Sequence, residues 1–272
     1  MPVDPWTFAT SPAGARRASV VLAAFSRGPL GVDATLSRER FGIPETAPLE
    51  VAEVRAIARA ADPQWFDAWR GGSLRAIAER DLGTQLADLD AADHVHVIAL
   101  ELANPADLSY LQVAWGLARQ LGARGATTVL DVHAMTYRAA AAIPPADSDL
   151  DVSREVRVIY ETDSSRADRA HAMHTRGLRK FGAPDLVALC GDADARLVGP
   201  ALVELAGAVA RGTDLALPRH AIAVAPGITW YAVADEHQLG ALLQLNNAAR
   251  VIVDGNGHDL LGVLERLPPA KN

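Results

Sequence analysis

The sequence predicts an α/β or α+β fold, with two βαβ-type halves whose mixed sheets are covered by helices. Three observations point there. Short β-runs alternate with segments of helical period along most of the chain. A strand, a helix and a strand follow one another from His94 to His133. A second such succession runs from Val156 to Cys190, and alternation of this kind is the mark of layered sheet-and-helix proteins.

Taken in order, residues 1–15 hold Pro2, Pro5 and a Ser-Pro-Ala-Gly turn and read as a loosely held arm. The N-terminal half spans 16–138. Ser19 to Phe25 is an apolar β-run, and Ala47 to Ala61 reads as a helix because Val51, Val54, Ile57 and Ala58 recur at helical spacing. Gln64 to Trp69 and Ser73 to Asp88 are further helical stretches parted by Gly71-Gly72. His94 to Glu101 is a strand, Asn104-Pro105 starts a helix that runs to Gln120, and Thr127 to His133 is the next strand. Such a unit implies two parallel neighbouring strands.

Residues 139–155 are acidic and proline-bearing (Ile-Pro-Pro-Ala-Asp-Ser-Asp-Leu-Asp) and read as a connector, which leaves 156–272 as the C-terminal half. Its first strand feeds a helix on which Ala170, Met173, Gly177, Leu178 and Phe181 form an apolar stripe that takes in His174. Leu197 to Ala210 and Glu236 to Asn246 are helical, and His220 to Ala225, Thr229 to Ala234 and Arg250 to Asp254 are strands. Leu260 to Leu267 is too short to assign. Gly116-Leu117 to Gly122-Ala123 faintly repeats in Gly177-Leu178 to Gly182-Ala183, an alignment that sets Val113 against His174.

Composition narrows the function classes. With 26 basic and 33 acidic residues the net charge is −7, and the densest basic group is only Arg176, Arg179 and Lys180, which argues against a nucleic-acid partner. No apolar run approaches the ~20 residues a membrane crossing needs. The single cysteine, Cys190, rules out a disulfide framework within the chain, so a reducing cytoplasm is expected. In its Leu-Val-Ala-Leu-Cys run it reads as a small buried hydrophobe. Phosphate-loop, dinucleotide and hydrolase-elbow motifs are all missing.

The candidate chemistry gathers near His174. A titratable ring on a buried stripe needs a partner, and His171 stands one helical turn before it. Glu161 and Asp163, at the end of the preceding strand, complete a speculative catalytic set. The carboxyl ends of the strands collect Glu101, Asp131, His133, Glu161 and Asp163, and a speculative ligand site takes Glu101, Asp131 and His133 with Arg176. His94-x-His96 and Asp131-x-His133 would be held apart, at opposite ends of parallel neighbours. No cofactor is predicted. Zinc is the metal the histidines would suit, but it needs three or four ligands and a polar second shell. Arg179-Lys180-Phe181-Gly182-Ala183-Pro184 is explained as a helix stop, with cations at the C-terminus, a left-handed glycine and a proline.

The run from His174-Thr175-Arg176-Gly177 through Phe181-Gly182-Ala183-Pro184-Asp185 resembles a motif in bacterial domains of unknown function, which carry a His-Thr-x-Gly, Phe-Gly, Pro-Asp/Glu string between two strands. The likeness is sharp over residues 174–186 and architectural over the flanking hundred. It implies an α+β fold and a bacterial cytoplasmic origin, and it transfers no chemistry. Three functions fit. The first is a non-catalytic binding or regulatory protein with a protein or small-molecule partner. The others are a hydrolase-type enzyme using His174 or His171 with the carboxylates, and a small-ligand sensor.

Overall fold

The computed structural model describes residues 6–10, 12, 15–31, 49–145, 148–163, 170–215, 218–258 and 260. The chain forms an α+β fold of two compact units, one of Met1–Thr7 with Ala15–Leu150 and one of Phe8–Gly14 with Asp151–Asn272. The division falls between Leu150 and Asp151, inside the connector expected over 139–155.

In the first unit the elements are β1 (Arg17–Ser26), β2 (Leu49–Ala58), α1 (Pro63–Ala68), α2 (Gly72–Leu82), α3 (Leu86–Asp90), β3 (His94–Ala103), α4 (Ser109–Ala123), β4 (Ala126–Asp131) and β5 (Thr136–Ala139). The sheet order is β2-β3-β1-β4-β5, and every neighbouring pair is antiparallel. β1 is central because both its faces are apolar: Val20, Leu22 and Ala24 on one, Ala23 and Phe25 on the other, all fully buried. β3 and β4 run parallel, as their αβ connection requires, but they are not neighbours. β1 is inserted between them, a strand order no local pattern encodes.

Helix α4 packs across β1, β3 and β4 and buries Leu111, Val113, Ala114, Leu117 and Leu121. On the opposite face Phe25, Val95 and Leu130 meet Phe66, Ala78, Leu82 and Leu89 from α1, α2 and α3. Asp62 caps α1 by accepting from the Trp65 amide at 3.0 Å, with Pro63 at the first helical position.

The helix expected over Ala47–Ala61 is instead the edge strand β2, paired with β3 from Leu49 opposite Leu102 to Ala58 opposite His94. Ladder pairing to β3 outweighed a chance three-and-four spacing of valines and isoleucine, residues that themselves favour strands. The amino-terminal arm is tied down where it is described. The Leu108 amide donates to the Trp6 carbonyl in the first unit, and the Ala9 amide to the Arg211 carbonyl in the second.

The second unit holds α5 (Val152–Glu155), β6 (Arg157–Asp163), β7 (Ala170–Arg176), a 3₁₀ turn (Leu178–Phe181), β8 (Asp185–Cys190), α6 (Asp192–Ala210), β9 (Arg219–Ala225), β10 (Ile228–Ala234), α7 (Leu239–Leu242) and β11 (Ala249–Val253). The order is β6-β7-β8-β11-β10-β9, with β8 and β11 parallel and the other pairs antiparallel. α6 lies on one face, where Gly199 lets it approach closely: a Cβ there would come 3.2 Å from the Met173 terminal methyl.

The expected helix around His171 and His174 is the strand β7, so the second half opens with an antiparallel meander rather than a βαβ unit. The apparent stripe joined Ala170 and Met173 of a strand to Gly177, Leu178 and Phe181 of the turn that follows it. The faint repeat is therefore not a structural one: Val113 lies on a helix and His174 on a strand. Leu261–Leu267 and residues 164–169 of the expected helix fall outside the described residues.

Candidate functional site

Side chains alternate between the faces of a strand. Pairing sets Glu161 opposite Ala172, Tyr160 opposite Met173, and His171 opposite Cys190. His174 therefore shares a face with Arg176 and Glu161, and His171 shares the other with Met173 and Cys190. The two histidines, expected as helical neighbours, stand back to back across the sheet.

His174 is fully buried. Its Nε2 lies 3.3 Å from Glu161 Oε1 and its Nδ1 3.4 Å from the Thr175 carbonyl oxygen. Both partners are acceptors, whereas a neutral imidazole has one N–H to give. Burial nevertheless pushes the ring below its ordinary value, outweighing the Glu161 contact that would raise it. Glu161 itself is half exposed. Arg176, also buried, donates to the Leu243 carbonyl at 3.1 Å and the Gln244 carbonyl at 3.4 Å.

Asp185 anchors the end of this strip. It accepts from the Thr175 hydroxyl at 3.0 Å, the Leu178 amide at 3.3 Å and the Asn247 side-chain amide at 2.9 Å. Burial still pushes its carboxyl up to about 6. The Thr175 oxygen in turn accepts from the Leu186 amide at 2.8 Å. Gly177 (φ 113°) and Gly182 (φ 65°) both take left-handed backbone, which turns the chain between β7 and β8 while Leu178 and Phe181 fill the core.

The helix-stop reading of this run is thereby corrected. Gly182 is left-handed as expected, but it closes a single 3₁₀ turn. Lys180 is fully buried in an ion pair with Glu155 instead of facing a helix end.

On the other face His171 Nε2 lies 2.6 Å from Asp192 Oδ1, and Nδ1 lies 3.2 Å from the Thr162 hydroxyl. Both ring nitrogens thus have a partner, the carboxylate at Nε2 as an acceptor and the threonine hydroxyl at Nδ1. The Tyr160 ring stacks at 4.7 Å. Cys190 is fully buried and its thiol is pushed up to about 11 by burial, so at neutral pH it is no nucleophile. The side chain of Asp163 lies outside what is described.

In the first unit, Glu101 is the cross-strand partner of Ser19 and pairs with Arg17 at 3.0 Å. His133 Nε2 lies 3.2 Å from the Ser19 hydroxyl. Glu101 and His133 are thus each neighbours of Ser19, one by strand register and one by its ring nitrogen. Asp131 does not join them: it aligns with Leu22 on the opposite face, where its Oδ1 accepts from the Ala134 amide at 3.0 Å and closes a turn. Arg176 belongs to the other unit.

Asp131 is level with Ile98, two residues from His96, because both align with Leu22. His94 aligns with Ser26, four residues along β1 from the Leu22 partner of Asp131, so the two pairs are offset along the strands as well as parted by the intervening β1. His96 is fully buried beside the Ser26 hydroxyl (3.3 Å), and burial pushes it down.

Sequence reasoning missed Asp192, Thr162, Ser19, Asn247 and Glu155 as partners. Each lies in a different element from the residue it meets, and only the fold brings them together. Among the described residues, no three His, Cys, Asp or Glu side chains gather to hold a metal ion. No helix among them is long and apolar enough to cross a membrane. Comparison with protein-family models, with curated proteins and with solved structures finds no match for the chain.

Proposed function

We propose that the protein works by binding a partner rather than by turnover, as an interaction or regulatory protein of the bacterial cytoplasm. One observation carries this reading. His171 and His174 face opposite sides of the sheet, and both ring nitrogens of each are already within reach of partners in the fold. Back-to-back rings cannot serve one reacting atom or ligate one zinc ion, and the thiol on the His171 face is held as the neutral form. The lone cysteine and the bacterial motif support the compartment.

A second reading rests on Glu161, whose half-exposed carboxylate touches a buried, neutral-leaning His174, an arrangement suited to a base or to holding a small polar ligand. The test is turnover of ester, phosphoester and peptide substrates, with and without added zinc, by the wild type and Glu161→Gln. The binding reading expects no turnover above background in either. Wild-type turnover that Glu161→Gln abolishes without changing the melting temperature overturns it.

A further inference from the structure

Four strands form the sheet edges among the described residues, and three of them are protected in familiar ways. β2 carries Glu50, Glu53 and Arg55, β6 carries Arg157, Glu161 and Asp163, and β5 is only four residues long. β9 is different. After Arg219 and His220 it reads Ala221-Ile222-Ala223-Val224-Ala225, with no charge and no proline, and β10 is its only strand neighbour among the described residues.

Beside β9, α6 leaves a groove of about 230 Å³, lined by Leu197, Pro200 and Ala201 with the charged Arg196 and Glu204 on the helix, and by Ile222 and Val224 on the strand. Leu197 at its mouth is 38% exposed, and Ile228, next to the β9 end, is 40% exposed. An uncharged edge strand next to a groove with an apolar floor and charged residues on its helix side is a geometry that accepts an added strand, with backbone bonds along the edge and alternate side chains in the groove.

We propose that the added strand is β9 of a second copy of this chain, joined antiparallel across a two-fold axis at Ile222. The strand fits itself. In that register Arg219 comes opposite Ala225 of the other copy, His220 opposite Val224, and Ala221 opposite Ala223, so no like charges face each other. Charge alone does not single out β9, since β6 centred on Tyr160 would set Arg157 against Asp163; what distinguishes β9 is an uncharged run lying beside the α6 groove.

Ile222 and Val224 face the α6 side, so each copy's pair enters the groove of the other, and the groove is filled only when the second chain is present. Isologous contacts of this kind close at two subunits and use every residue twice.

The test exploits Ala221 and Ala223, both exposed, whose side chains alternate with Ile222 and Val224 along the strand, Ala223 lying at the groove's edge. Sedimentation of the full chain is expected to give twice the 28.8 kDa mass. The double variant Ala221→Lys with Ala223→Lys opposes lysines twice across the axis and is expected to weaken the dimer about tenfold or more. Ala221→Lys with Ala223→Glu opposes lysine to glutamate twice and is expected to keep it. Circular dichroism and melting temperature confirm that both variants fold. A wild type of single-chain mass overturns the proposal, and so does a dimer that the double-lysine variant leaves intact.

Discussion

The Thr175 hydroxyl donates to the Asp185 carboxylate at 3.0 Å, and the same oxygen accepts from the Leu186 amide at 2.8 Å. One side chain therefore fastens the end of β7 to the start of β8 and satisfies two buried groups. Thr175→Val keeps the shape and strands both. It is expected to lower stability by about 1–3 kcal/mol in urea unfolding, with Thr175→Ser close to wild type. A large loss in Thr175→Ser with little in Thr175→Val would show that the methyl, and not the hydroxyl, matters.

Asp185 gives a pH-dependent companion. Burial raises its folded carboxyl to about 6 from the usual 3.8. A raised acid favours the folded state in its protonated form, so its contribution is complete below the unfolded value and is lost as pH rises through about 6. The shift corresponds to on the order of 3 kcal/mol across that window. Asp185→Asn cannot ionise. Its stability relative to wild type is expected to improve between pH 4 and pH 7, and a flat difference would count against the assignment.

How much of this was legible depended on whether local pattern or partner strand decided the outcome. β1, β3, β4 and α4 could be read directly, since their alternation or 3.6 period agrees with the sheet and helix they form. β2 and β7 could not. Val51, Val54 and Ile57, and then Ala170 and Met173, fall at spacings a helix would also use, and pairing to β3 and to β6 and β8 settled the matter.

That one misreading reversed the candidate site. Residues three apart are neighbours on a helix but lie on opposite faces of a strand, so His171 and His174 parted. The importance of the run from His174 to Asp185 was visible, and its role was not. Thr175, Gly177, Gly182 and Asp185 build a turn whose bonds reach Asn247, far along the chain.

Lys180 and Glu155 test another contact invisible in the sequence. Both are buried, and their ion pair ties α5 to the 3₁₀ turn. Removing one partner leaves an uncompensated charge in the core, so Lys180→Ala is expected to lose about 3–5 kcal/mol. Lys180→Met with Glu155→Leu removes both charges and keeps the volume. Chemical denaturation is expected to show the double variant more stable than Lys180→Ala. The reverse order would mean that the charges are solvated.

His174 makes the opposite pH prediction to Asp185. Burial lowers its folded value below the ordinary 6.5, so the neutral ring is the form that suits the fold. Its contribution is present above the unfolded value and is lost as pH falls from 6.5 toward the lower folded value, because the unfolded chain takes up the proton first. His96 is lowered in the same direction, so substituting His174 removes only part of the acid sensitivity. His174→Gln keeps a polar group within reach of Glu161 and does not titrate. Its melting temperature is expected to fall less than that of the wild type between pH 7.5 and pH 5.5. If instead the wild type falls less than the variant, His174 takes up its proton in the folded protein and its contact with Glu161 is an ion pair.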